Sequence, residues 1–429
     1  MDYEKIDMGS YNLHFINTDK FKTNTISVNF REKVKKEEIT IRKVLFQTLY
    51  YTTKKYNTNR LFQLKLEDLY SMSIGHSNLK FGNLINSYID IKFLNEKYTD
   101  DKFIFECIDF LFEILFNPNV ENEKFDSKSL NFIKEKIGLS IDSKKENPEI
   151  YALNKSLETL ENDPISYSLW GYKEDLEKIN EKSLYEYYKK ILKTNKIDIF
   201  IIGTFDKEKI KNYFSEKFIV NTIKMDKTNP YVIYDKCDKV KEITNNMPNL
   251  KQSKLSIVCK ILDLTEFERR YVLPIYASIL GGSSNSRLFL DVREKKSLAY
   301  SIQTLTKGPN SILIISAGIS ANKYNEVIKI INNDIKGMKK GITDDEINSV
   351  RNELISSIET LLDSPSGIIN YYFGIEVFNS ETIDKKIENY NKVTKKDIQN
   401  FANKVKMSVI YQRFTGRERD SFNNLEDLR

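Results

Sequence analysis

Two stretches of this chain spell one plan in different residues. LYSMSIGHSNLKFGNLINSYIDI begins at Leu69 and LAYSIQTLTKGPNSILIISAGI begins at Leu298; each reads as strand, polar turn and strand, and an amphipathic helix follows. A repeated unit of this kind restricts the fold more than any single motif, because each copy needs its own sheet and its own helical cover. The chain is therefore expected to be α+β, with two homologous domains, each a mostly antiparallel sheet with helices packed on one face. A length of 429 residues suits two domains of ordinary size.

The segments around the repeat extend the pattern. In the first half NLHFI and TISVNF alternate as two antiparallel strands joined around TDKFKTN, and IRKVLFQTLYYTTKKY reads as a helix. The amphipathic DDKFIFECIDFLFEILFNP stops at Asn117-Pro118, helices follow over 127–143 and 148–160, and IDIFIIG ends the half as a strand at Gly203. In the second half come KLSIVCKI, FERRYVLPIYASIL, SILIISAGI and YNEVIKIINNDIKGM, then a helix opened by a capping box of Thr343 and Glu346. The expected boundaries are 1–220 for the first domain, 221–250 for an aperiodic linker, 251–412 for the second domain and 413–429 for a polar C-terminal extension.

Charge and composition exclude several classes. Lys and Arg total 67 against 61 Asp and Glu, and the net +6 is spread along the chain instead of gathered among stacking aromatics, which argues against nucleic acid as a partner. Cys107, Cys237 and Cys259 form no CxxC pair and suit small apolar positions in a reducing compartment. No basic segment leads into an apolar one at the N-terminus, and the most apolar long run, residues 103–116, is too short and too acidic to span a bilayer. The expected location is cytoplasmic, away from the membrane.

The chemistry available to the chain is narrow. Its only two histidines, His14 and His76, fall on separate strands, so neither HExxH nor HxxEH can be assembled, and both read as packing or surface residues. GGSSNS at 281–286 has neither the GxSxG elbow nor a P-loop lysine and reads as a turn between helices. In SRLFLDVREKKSLAYSIQT, a helix from Ser286 to about Lys295 would bury Leu288, Phe289 and Val292 and leave Arg293 at the border of that stripe. Tyr300 would start a strand on the face of Leu298 and Ile302. By spacing alone, a snorkelling cation and a packed aromatic explain the pair as well as chemistry does.

The setting of that pair brings in a family. LGGSSNSRLFLDVREKKSLAY resembles the second-domain signature of the insulinase/pitrilysin metallopeptidases, the mitochondrial-processing-peptidase-like group, whose pattern runs roughly LGGGxSSRLFxxLREKxxLAY. NLHFINTDKFKTNTISVNF resembles the opening hairpin of the family's first domain, DPISYSLWGYKEDLEKINEKSLYEYYKKI the segment before its closing strand, and IIGTFDKEKIKNYF that strand and the next helix. The likeness spans residues 10–412. Active members carry HxxEH on the first helix, where this chain has Val44-Leu45-Phe46-Gln47-Thr48. Glutamine is a neutral amide and cannot take a proton from zinc-bound water.

The chain is thus similar to the zinc-deficient, non-catalytic subunits of bacterial type. That resemblance implies no metal and no cofactor in this chain and no peptidase activity on its own. It implies a partner, an HxxEH-bearing homologous subunit that holds the zinc, and a chamber between the two chains for a peptide substrate. Arg293 and Tyr300 match the arginine and tyrosine that such subunits offer to the substrate. The alternative it leaves is a catalytically inert structural or interaction subunit that uses the fold as a scaffold.

Overall fold

The repeat is laid out as two sheets with one shared topology. The computed structural model describes residues 2–100, 102–220, 228–247, 250 and 252–414. The first sheet comprises β1 (Asp2–Asp7), β2 (Asn12–Asn17), β3 (Thr23–Lys33), β4 (Ser73–Phe81), β5 (Leu84–Leu94) and β6 (Lys196–Gly203). The second comprises β7 (Lys241–Asn246), β8 (Ser253–Ile261), β9 (Ala299–Lys307), β10 (Ile312–Ile319) and β11 (Val405–Phe414). Counted from the hairpin edge, the orders are β4-β5-β3-β6-β2-β1 and β9-β10-β8-β11-β7. Each order runs hairpin, earlier strand, closing strand, opening strand. The parallel pairs, β2 with β6 and β7 with β11, stand at the same step of both sheets, and β1 is an addition to the first.

The helices that matter for the site are α1 (Ile39–Leu49), α2 (Phe103–Phe116), α3 (Ser127–Glu146), α4 (Pro148–Glu158), α5 (Glu181–Thr194), α6 (Leu273–Gly281), α7 (Tyr324–Gly337), α8 (Asp344–Thr360) and α9 (Pro365–Phe378). The chain forms two compact units that do not coincide with its two halves. The first gathers the residues up to Asp142, then Tyr167–Asn229 and Ser364–Phe373; the second gathers Ser143–Ser166, Pro230–Asp363 and the described residues from Gly374 on.

In the first unit the period of two along β3 sends Ile26, Val28 and Phe30 to one face, where they meet Val44, Leu45 and Phe46 of α1 and the buried stripes of α2, α3 and α5. Full burial of each such side chain is worth roughly 1.5–3 kcal/mol. The opposite face is polar yet closed. Arg31 donates to Asp198 Oδ2 at 2.7 Å, Asn12 donates to Asp198 Oδ1 at 2.7 Å, and Asn86 donates to Asn29 Oδ1 at 2.8 Å. His14 is fully buried there, stacked on Phe200 with its Nε2 3.4 Å from Asp198 Oδ1 and its Nδ1 3.0 Å from the Tyr3 hydroxyl. The start of α9 belongs to this unit, with Tyr372 stacked on Tyr3 and Phe373 against Phe81 and Phe200.

In the second unit Leu255, Ile257, Leu313 and Ile315 meet α6 and α7 in the core, while Val258, Ile312, Ile314 and Val409 on the other face pack against Leu160 and Ile165. The α4 helix sits on that second face, and its Ser156 Oγ lies 2.8 Å from Ser256 Oγ.

Two sequence readings need correction. β2 and β3 are not neighbours, because β6 lies between them, parallel to β2 and antiparallel to β3. KIDIFIIG is buried on both faces and takes the protected inner position, which local alternation in the two opening strands could not reveal. In addition, Lys241–Asn246, inside the stretch read as linker, is the strand β7 of the second sheet. It is an edge strand of polar residues, so it carries little apolar alternation. Residues 221–227 and 248–249 of that stretch, and 415–429 of the extension, lie outside the described residues. Cys107, Cys237 and Cys259 are free thiols, two of them buried.

Candidate functional site

The glycine pair at the end of α6 sets the geometry of the stretch that follows. A Cβ on Gly281 would stand 2.7 Å from Thr304 Cγ2 and 3.2 Å from Thr304 N, and one on Gly282 would stand 2.6 Å from Ser278 Cα. Only hydrogen at these positions lets α6 lie against β9, where Thr304 Oγ1 donates to the Ala277 carbonyl at 2.8 Å. The pair is a packing device.

The next helix buries Leu288 and Val292 completely and widens into a π turn over Phe289–Glu294, in which Lys295 N donates to Leu290 O at 2.8 Å. Such single π turns insert a residue and rotate the side chains around them. The turn closes through Ser297, at φ 52°, and a bond from Leu298 N to Val292 O at 2.9 Å. Arg293 leaves this turn with its side chain 43% exposed, the guanidinium 4.7 Å from the Phe289 ring centre and Nε 3.8 Å from Glu294 Oε1. At that length the ion pair is loose, and the guanidinium keeps donors for another acceptor.

Tyr300 does not share a face with Leu298 and Ile302. It is 74% exposed, whereas they are 6% and 5% exposed. The cause is a bulge: Ala299 faces Ile319 and Ser301 faces Gly318, which leaves Tyr300 without a counterpart on β10. A regular strand would have packed the phenol into the core.

Through these two irregularities Arg293 and Tyr300 line one open cavity of about 420 Å³, together with Gln252, Ser297, Gly318 and Ser320. Gly318 keeps its floor low, since a Cβ there would meet Gln252, Lys254 and Ser301 atoms at 3.1 Å. The arrangement offers a planar cation and a phenol to a carbonyl or carboxylate oxygen.

Arg287 of the same stretch serves a structural purpose. It donates to both oxygens of Glu346, at 2.7 and 3.0 Å, and to the Gly341 carbonyl at 2.6 Å. Burial raises the Glu346 carboxyl, but Arg287 and the Thr343 amide lower it further, so it is held below the ordinary value. The capping box of Thr343 and Glu346 is formed as read, while the grip of Glu346 on Arg287, fifty-nine positions away, has no local signature.

The first unit offers zinc no comparable purchase on α1. ITIRKVLFQTL contains no histidine, cysteine or carboxylate; Val44, Leu45 and Phe46 are wholly buried, and the buried Gln47 Oε1 has no hydrogen-bond partner. The buried Arg42 instead fastens this helix to the sheet, donating to Ser87 Oγ and the Phe30 carbonyl at 2.6 Å, to Asn195 Oδ1 at 2.9 Å and to Glu32. His76 on β4 packs against Tyr50, and burial, followed by Lys136 and Lys43, pushes its imidazole down to about 4. The positive charges of Lys136 and Lys43 also disfavour a dication beside this imidazole. No side chain of α1 is therefore of a type that holds zinc.

The fold of two α+β units of one topology, with an arginine and a tyrosine on the second and no metal-ligating side chain on α1, is similar to that of solved M16-type peptidases. Residues 178–354 match the family model described as "Peptidase M16 inactive domain". Along nearly its whole length the chain is similar to the "Probable inactive metalloprotease YmfF" of Bacillus subtilis strain 168, with 24% identity over 421 residues, covering 94% of this chain and 95% of that one. In structure it resembles a conserved protein from Enterococcus faecalis V583, with a TM-score of 0.89 and 24% identity, covering 98% of this chain and 100% of that one. It also resembles a peptidase M16 inactive domain from Pseudomonas fluorescens, with a TM-score of 0.75 and 13% identity over the same shares of the two chains. The chain is thus similar to M16 peptidase homologues, and the matched segment runs from the end of its first half through most of its second.

Proposed function

We propose that this chain is the non-catalytic subunit of a two-chain zinc endopeptidase, forming half of a peptide-binding chamber and presenting Arg293 and Tyr300 to a peptide held at the zinc site of an HxxEH-bearing homologue. The observation that carries the reading is the pairing of two exposed donors on one cavity with a first helix devoid of metal ligands. Without a substrate to meet, a π turn and a bulge that turn an arginine and a tyrosine outward have no packing rationale. Water attack on a peptide carbonyl builds negative charge on oxygen, and a guanidinium and a phenol stabilise that charge or hold the peptide backbone. The zinc and the general base belong to the partner, and this chain supplies no step of its own to the metal. Three unpaired thiols suit a cytoplasmic setting.

The test is to co-purify the chain with an HxxEH homologue and compare peptide cleavage by the wild-type pair with Arg293→Ala and Tyr300→Phe. Loss of a transition-state donor is expected to lower turnover roughly 100- to 1000-fold for Arg293→Ala, with a smaller loss for Tyr300→Phe. Full turnover in both variants, or a zinc-bearing partner equally active without this chain, would refute the role and leave a scaffold.

A further inference from the structure

The strand β10 carries a single glycine, Gly318, and it lies at the cavity that Arg293 and Tyr300 line. Cross-strand register sets Lys254 of β8 directly opposite it on one side and Ser301 of β9 on the other. With no Cβ on the middle strand, neighbouring side chains converge over bare backbone: Lys254 Nζ, Ser301 Oγ and Gln252 Oε1 each lie 3.1 Å from where that Cβ would stand. Lys254 is half-buried, and among the described residues it has no carboxylate partner. It donates to Gln252 Oε1 at 3.4 Å, a long bond to a neutral amide. Arg293 holds its own acid just as loosely, with Nε 3.8 Å from Glu294 Oε1. Two cations and one carboxylate leave one positive charge in excess, beside the neutral donor of Tyr300.

We infer that this cavity selects peptides that bring a carboxylate to it, with Lys254 as the specificity-determining cation and Arg293 and Tyr300 as further donors. The inference deepens the proposed function and rests on its reading of the cavity as a place where a peptide is held. A neutral backbone carbonyl would leave Lys254 uncompensated, whereas one carboxylate neutralises the excess and accepts from several donors at once. Glu294 does not block this, because its side chain is 56% exposed and can turn to water at little cost when an incoming carboxylate takes the guanidinium. Gly318 has a purpose in the same scheme. A methyl group there would push Lys254 and Gln252 away from the floor. The carboxylate is either the peptide's own C-terminus or an acidic side chain, and the two share the chemistry that the cavity reads.

Ligand-observed NMR on the full chain tests this without reference to activity. Three short acetylated alanine–leucine peptides are compared: one ending in an amide, one ending in a free carboxylate, and one ending in an amide with glutamate in place of an alanine. At least one charged peptide should bind roughly tenfold tighter than the neutral one, and which of them does so identifies the source of the carboxylate. Lys254→Gln should abolish that preference, Gly318→Ala should weaken it, and Glu294→Gln, at an exposed position that does not endanger folding, should strengthen it. Equal affinity for the three peptides, no binding by any of them, or a preference that survives Lys254→Gln would overturn the inference. If the preference depends on Lys254 while Arg293→Ala cleaves normally with its partner, the role of Arg293 at the partner's zinc site falls and the carboxylate site stands. If Arg293→Ala is impaired in cleavage and the three peptides bind alike, selection by charge alone falls.

Discussion

Asp198 is an ionised carboxylate with no exposed surface, which is costly unless its surroundings are built for it. Burial raises its carboxyl, but the bond to His14, the charge of Arg31, the nearby Lys196 and the bond from Asn12 outweigh that effect and hold it well below the usual carboxylate range. Asp198→Asn would leave the buried Arg31 without its counter-charge and is expected to cost about 3 kcal/mol in chemical denaturation. The pH dependence follows from the depressed folded value: the stabilisation is complete above the ordinary carboxylate pKa near 4 and is lost as pH falls toward the folded value. The wild-type melting temperature should therefore drop on acidification below about pH 4, and the variant, which has already lost this term, should drop less. Equal drops would show that Asp198 is not the group involved. None of this network was legible in the sequence, where Asn12, His14, Arg31 and Asp198 are scattered over nearly two hundred positions and meet only because β6 lies between β2 and β3. Arg293 and Tyr300 were legible as residues, since the signature around them is continuous. Tyr300's direction was not, because a bulge depends on the partner strand.

At the scale of elements, the β4–β5 and β9–β10 hairpins were readable because a period of two and a polar turn are local properties. The assignment of α4 to the second sheet was not readable. Its pattern says that one face is buried and is silent about which sheet buries it. The glycine pair sits between these cases: its identity was plain, and its reason is a tertiary approach. Gly281→Ala forces a methyl into the 2.7 Å gap before Thr304 and also presses on Leu288, at 3.3 Å, from which the Arg293 turn continues. Overpacking of this kind is expected to cost about 1–3 kcal/mol, read from the denaturation midpoint. It should also loosen exchange protection at residues 288–300, whereas Gly9→Ala, whose added Cβ meets nothing within 4 Å, should leave that segment unchanged. Unaltered stability in Gly281→Ala would mean that α6 can withdraw from β9, and the glycine would then need another explanation.

At the scale of the whole molecule, the duplication in sequence and the division in space cut the chain at different places. Each unit takes one helical segment from the opposite half: residues 143–166 join the second and 364–373 join the first. A fragment of residues 221–429 would lack Leu160 and Ile165, and with them the cover over Val258, Ile312, Ile314 and Val409. A fragment of residues 1–220 would lack the rings of Tyr372 and Phe373 beside Tyr3, Phe81 and Phe200, and the stacking of Arg31 on Phe373. Re-exposing even three or four such side chains costs on the order of 5 kcal/mol, comparable with the whole stability of a small domain. Neither half is therefore expected to melt cooperatively when made alone, although each holds a nearly complete sheet. The second should regain a cooperative melt when extended by a linker to residues 143–166. Calorimetry on the halves, the extended second half and the intact chain checks this, and two independent transitions from the separate halves near that of the intact chain would disprove it. The same exchange ties the two halves together in folding: neither is finished by its own stretch of sequence, so folding of one half depends on residues that the other half encodes.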